Sequence, residues 1–278
     1  MKLIVILLCV LFLAGCTDQL RVEPENSLTF GNITKEKDVE ALVYGVGAGV
    51  RDMVCWNALL QVEKGAYADE ADESRRGARM LELEAGTADL WEAWYQVIMG
   101  AETVLSHVDV VEMPNERRQF YRGQAYFFKA LAYFDLIRRW GDCILQKGGI
   151  NWEPVAKTPW PKVCDFAIEM AEKAAEILPP FDKLTDCNGN TMFSKSTPCQ
   201  GAAYALLAHL CAWKAGGKYF AAEVDRNYDE KELWDMAEKA CTKVIESPLY
   251  DLVATPEEVC ASVLVGNSKE GVYETVMK

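Results

Sequence analysis

The segment Arg122–Asp142, RGQAYFFKALAYFDLIRRWGD, restricts the fold more than any other part of the chain. Wound at about 100° per residue, its apolar side chains do not gather into one stripe. Tyr126, Ala130, Tyr133 and Ile137 line one side, with Phe127 and Phe134 beside them. Phe128, Leu131, Ala132 and Leu136 cover most of what remains. A helix that is apolar nearly all round is enclosed by other helices or by lipid. Lys129, Asp135, Arg138 and Arg139 speak against lipid, because charge inside hydrocarbon is costly. The segment is therefore expected to be a central helix, and the rest of the chain must supply the layers around it.

Those layers are readable as further helices. One is expected from Glu36 to about Lys64, loosened by Gly45, Gly47 and Gly49. A polar segment without sustained period, Tyr67–Leu90, follows; connections of such length often carry function. Asp89 is placed to cap the next helix, with Glu92 reaching back. Its apolar positions Trp91, Trp94, Tyr95, Ile98, Ala101, Leu105 and Val108 recur at three and four, and Pro114 stops it. After the central helix, Val163, Phe166, Met170, Ala174 and Ile177 mark another, ended by Pro179 and Pro180. Thr197 and Pro198 open a fourth stripe of Ala203, Leu206, Leu207, Leu210 and Trp213. Trp234, Ala237, Ala240, Val244 and Ile245 form a fifth, ended by Pro248. Starts near residues 90, 117, 162, 198 and 232 approach the ~34-residue period of tetratricopeptide repeats. An all-α stack of helix pairs with few or no strands is the expectation.

The N-terminus carries a different signal. Lys2 precedes an apolar run, Leu3–Leu13, too short to span a bilayer and followed by Ala14, Gly15 and Cys16. LAGC resembles the lipobox of bacterial lipoproteins, in which cleavage precedes the cysteine and its sulfur takes the lipid. Residues 1–15 are thus expected to be a signal peptide, 16–35 a tether lipidated at Cys16, and 36–278 the helical domain. Cleavage removes Lys2 and no acid, which deepens the formal net charge of −13. So acidic a surface excludes phosphate-backbone binding, hence nucleic acid. Of ten cysteines, Cys9 leaves with the signal and Cys16 is lipidated. The others form no C-x-x-C pair and are expected to be mainly small buried hydrophobes, Cys164, Cys211 and Cys241 on helices. A disulfide would most plausibly involve Cys187 or Cys199.

Catalytic signatures are missing. His107 and His209 have no second ligand one turn away, and no nucleophile elbow, phosphate loop or dinucleotide fingerprint occurs. No catalytic residue, metal or cofactor is assigned. Binding chemistry is better represented: Asp69, Asp72, Arg75 and Arg76 lie together in the polar segment, with Trp56 before it and Trp91 after it. Flat aromatic faces flanked by carboxylates and guanidinium groups suit a sugar ring and its vicinal hydroxyls. Trp56, Asp69, Asp72, Arg75 and Arg76 are the candidate ligand contacts, while the helix core claims Trp91.

In order along the chain, LAGC, LRVEPEN, LWEAWYQVIMGAETVL, GQAYFFKALAYFDLIRRWGD, VCDFAIEMAEKAAEILP, GAAYALLAHLCAWKAG and LWDMAEKACTKVIESPLYDL resemble the SusD/RagB family of outer-membrane nutrient-binding lipoproteins. The resemblance implies a SusD-like fold of tetratricopeptide-like pairs. It also implies a TonB-dependent SusC-like transporter as partner, and an oligosaccharide or peptide as ligand. The protein would be lipid-anchored to the outer membrane, facing the exterior, and would bind without cleaving. Family members are about twice as long, so the chain is expected to stop before their C-terminal half. The rival reading is a helical-repeat scaffold lipoprotein of envelope assembly with a protein partner and no small ligand. Lipidation has a direct test: Cys16→Ser is expected to abolish metabolic labelling by a palmitate analogue and release the protein from membranes, and persistent labelling would refute it.

Overall fold

A computed structural model describes residues 31–56, 88–149 and 153–275. Six long α-helices account for most of these: α1 (Glu36–Trp56), α2 (Ala88–His107), α3 (Asn115–Trp140), α4 (Trp160–Ile177), α5 (Gln200–Gly216) and α6 (Glu230–Ile245). A single turn, α7 (Pro256–Glu258), runs into a π turn at Val259–Val263 that the sequence pattern had not suggested. Among the described residues, pairing of sheet type is confined to two isolated bridges, Cys143 with Thr158 and Thr185 with Thr191.

Each helix lies antiparallel to its neighbour in the chain. Gly49 faces Val97 while Gly100 faces Val46, which sets α1 against α2. Trp94 reaches Asp135 and Glu102 reaches Lys129, which sets α2 against α3. Tyr133 meets Phe166 while Gly123 meets Leu178, so α4 returns along α3. A Cβ on Gly123 would stand 2.8 Å from the Leu178 side chain, so the close approach requires glycine there. Asp165 pairs with Lys214, and the Gln200 amide donates to the Ala175 carbonyl, fixing α5 against α4. This is the all-α, helix-pair architecture expected from the sequence.

Helix α3 occupies the centre, as its composition requires. Tyr121, Phe127, Phe128, Ala130, Ala132, Tyr133, Phe134, Leu136 and Ile137 are buried. So are the polar Gln124, Lys129 and Asp135. The enclosure is not complete, since Tyr126 and Leu131 keep some exposure. Helix α6 lies at the edge of the stack and buries only Leu233, Ala237 and Ala240. Trp234 and Ile245, read from the sequence as stripe residues, are 49% and 79% exposed there because no further helix among the described residues covers them.

Helix limits differ modestly from the sequence pattern. α1 is described to Trp56, so its expected extension to Lys64 lies outside the described residues. Asp89 falls inside α2, as its second residue. α5 begins at Gln200, two residues after Pro198, with no side chain capping it. The described cysteines for which side chains are seen are free thiols. Cys143, Cys164, Cys199 and Cys211 are buried, and burial pushes the Cys211 thiol up to about 12. Cys241 is exposed instead, because α6 turns that face to solvent.

Phe128 is 1% exposed, and its ring edge rests against Gly47 of α1. Phe128→Ala is expected to destabilise the fold by about 3–5 kcal/mol, through lost burial and the cavity left behind. Urea denaturation would read this as a lower midpoint; an unchanged midpoint would contradict the central placement of α3.

Candidate binding surface

Alternation of helix direction brings the C-termini of α1, α3 and α5 to one end of the stack, with the N-termini of α2, α4 and α6. The connections 57–87, 141–159 and 217–229 therefore leave and return at this end. Of the sequence candidates, Asp69, Asp72, Arg75 and Arg76 lie outside the described residues, as does Cys16. Trp56 is the last residue of α1, at this end.

The Trp-Gly-Asp triplet closing α3 forms the corner from which this surface is built. Trp140 meets Trp91 of α2 edge-on, with centroids 5.5 Å apart and planes at 89°. Trp91 also lies 5.2 Å from Tyr95 and carries the Lys157 ammonium 5.1 Å from its ring. It is only half-buried, and the fully buried residue of this turn is Trp94. Gly141 turns the chain at φ 70°, a conformation that disfavours a side chain. Asp142 then accepts a hydrogen bond from the Trp160 amide, the first of α4, at 2.9 Å. One corner thus ends one helix and caps the next.

Past the corner, Cys143 and Thr158 exchange backbone hydrogen bonds and close the neck of the 141–159 connection. Among the described residues, 144–146 have no neighbouring strand, and two phenols take its place. The Tyr95 hydroxyl donates to the Ile144 carbonyl at 2.9 Å and accepts from the Ile144 amide at 2.8 Å. The Tyr133 hydroxyl donates to the Gln146 carbonyl at 3.2 Å and accepts from the Gln146 amide at 2.8 Å. Burial raises both phenols above the ordinary tyrosine range, so they remain donors at physiological pH. Gly149 donates to the buried Glu102 carboxylate at 3.2 Å, a third tie.

The segment so held forms one wall of a cleft of about 630 Å³. Leu145, Gln146, Lys147 and Gly148 face Lys162, Asp165, Phe166 and Glu169 of α4 across it, with Val155 and Thr158 also lining it. Three of the charges already have counter-charges. Lys162 pairs with Asp225 at 3.3 Å, Glu169 with Lys173 at 2.6 Å, and Asp165 with Lys214. Gln146 Oε1 is buried with no hydrogen-bond partner, an acceptor in want of a donor. Paired charges beside apolar side chains offer hydrogen bonds to an uncharged, hydroxyl-rich ligand. Among the described residues, no group of three or more His, Cys, Asp or Glu stands close enough to hold a metal ion.

Residues 61–211, more than half of the chain, match the family model SusD-like_3, described as starch-binding associating with outer membrane. The chain belongs to the SusD-like family. It is similar to SusD-like protein P2 of Formosa agariphila, with 25% identity over 220 residues covering 74% of this chain and 41% of the relative. In fold it is similar to a SusD-like carbohydrate-binding protein of Bacteroides vulgatus, at TM-score 0.64 and 18% identity, covering 86% of this chain and 50% of that one. A crystal structure with a xylogluco-oligosaccharide aligns at TM-score 0.53 and 19% identity, over 66% of this chain and 34% of that one. The chain thus spans half or less of the length of these relatives.

The sequence signal for the cleft was faint. Phe166 was visible as a core position, but the pairing of Tyr95 and Tyr133 with a distant backbone has no periodicity to reveal it. Tyr133→Phe removes one hydroxyl and leaves the Gln146 amide and carbonyl without their partner. A loss of about 1–3 kcal/mol is expected. Hydrogen exchange should accelerate at residues 144–148 ahead of the helices; unchanged protection there would remove the phenols from their anchoring role.

Proposed function

We propose that the protein is a lipid-anchored outer-membrane lipoprotein, held at Cys16 and facing the cell exterior, that captures oligosaccharide or peptide nutrients. It passes them uncleaved to a TonB-dependent SusC-like transporter. The observation that carries this reading is membership of a starch-binding, outer-membrane-associated family. Support comes from the related structure holding a xylogluco-oligosaccharide and from the chemistry of the loop-bearing end. The polar and charged side chains lining the cleft, and the half-open aromatic corner at the same end, supply what a sugar needs: hydroxyl partners and a flat apolar face. Ligand contacts from Trp56, Asp69, Asp72, Arg75 and Arg76 belong to the same proposal, since the 57–87 connection returns to this end.

A shallow site of this kind gives modest affinity, roughly micromolar to millimolar. The test is affinity electrophoresis and calorimetry of the full-length protein against a polysaccharide panel, with chromatography of the recovered sugar. Intact sugar, retained by the protein and lost on combined Trp56→Ala, Arg75→Ala and Arg76→Ala substitution, is the expected result. Shortened products would indicate an enzyme. Absence of any glycan or peptide ligand, with co-purification of envelope proteins other than a transporter, would make the chain a scaffold instead.

A further inference from the structure

The face shared by α3 and α5 carries a second grouping, separate from the cleft. Its hub is Phe134, only 5% exposed. The Arg138 guanidinium lies 4.3 Å from the Phe134 centroid, and Trp213 meets the same ring edge-on at 6.3 Å. The sequence pattern places Trp213 in the core, yet the residue is 40% exposed. Arg138 is comparably open, with 41% of its side chain exposed, and it is fixed twice. It stacks on Phe134, and its Nη2 donates to Asp135 at 2.8 Å. Asp135 is buried and also accepts from Arg139 and from Trp94 Nε1. Two guanidinium groups share one carboxylate, so the Arg138–Asp135–Arg139 group itself carries one positive charge in excess, on a chain whose formal net charge is −13.

We infer that this patch binds the carboxylate-bearing ring of an acidic oligosaccharide, a uronic acid residue, with the ring on Trp213 and the carboxylate on Arg138. The inference rests on the glycan-capture reading and adds the class of sugar. A half-open indole takes the apolar face of a pyranose ring. A guanidinium is a planar fork that matches a planar carboxylate through two parallel hydrogen bonds. Asp135 engages Nη2, and the other N–H groups of Arg138 stand ready for a ligand. Stacking and the ion pair hold the side chain before any ligand arrives, which lowers the ordering cost of binding. A neutral sugar leaves the local excess charge unmatched, whereas a carboxylate cancels it.

Calorimetry on the full chain would compare trimers of galacturonate, glucuronate and mannuronate with their carboxyl-reduced counterparts. At least one acidic trimer is expected to bind about tenfold or more tightly than its reduced form, with the preference shrinking as salt rises. Arg138→Gln should abolish the preference, and Trp213→Ala should weaken both forms. Asp135 keeps Arg139 and Trp94 in the Arg138 variant, so its melting temperature should stay near that of the parent. Arg138→Lys, which retains charge and loses the fork, should lose most of the preference; full retention would overturn the bidentate assignment. Equal affinity for every acidic and reduced pair, or a preference that survives Arg138→Gln, would overturn the inference and leave neutral glycan capture standing. A chain that binds no sugar at all overturns both.

Discussion

An ammonium buried in the middle of an apolar helix needs a counter-charge at one defined place. Lys129 is 1% exposed at the centre of α3, and Glu102 of α2, itself buried, supplies that charge. Removing either partner would strand the other in the interior, which is far more costly than losing an exposed pair. A slip of α2 along α3 by one turn, about 5.4 Å, would do the same, so the pair fixes the register of the two helices. The second oxygen of Glu102 accepts from Gly149, which carries that register into the 141–159 connection. Asp135 and Trp94 repeat the device nearer the loop-bearing end.

The opposite end of the stack is closed by one arginine. Arg117 of α3 donates to Glu36 at 2.7 Å and to Glu40 at 3.3 Å, both on α1, and to the Thr185 carbonyl at 2.8 Å. Tyr121 bonds to the same carboxylates, and the Cys187 amide donates to Glu40 at 2.8 Å. Helix α1, which neighbours α3 in space but not in sequence, is thereby tied to it and to the connection between α4 and α5. One end is thus closed by a polar hub, the middle is set by a buried pair, and the remaining end bears the connection that walls the cleft.

The helices were legible in the sequence because burial imposes a period on them, and α3 was legible because it lacks one. Edge effects were not. Trp213 and Trp234 fit the stripes of α5 and α6, but a stripe does not say whether anything lies opposite, and both proved half open. Trp91 had been assigned to the core for the same reason. The candidate binding end was visible only as composition: a polar segment between tryptophans. Its cleft depends on Tyr95 and Tyr133 finding backbone groups 49 and 13 residues away, which no local pattern encodes. The Trp-Gly-Asp triplet closes a segment that resembles the family, and its physical task, an aromatic edge, a left-handed turn and a cap in three successive residues, is written in the geometry and not in any local pattern.

The phenolic ties have a consequence for how such a protein diversifies. Tyr95 and Tyr133 grip only main-chain atoms of Ile144 and Gln146, and Glu102 grips only the main chain of Gly149. Nothing in those ties depends on what side chain the segment displays. Leu145 and Lys147, which line the cleft, are therefore interchangeable parts on a fixed bracket. Substitution there would change the lining of the cleft while leaving the course of the backbone and the stability of the stack nearly untouched. If the cleft holds glycan as proposed, a lineage meeting a new polysaccharide would need to alter a few letters, not rebuild a fold.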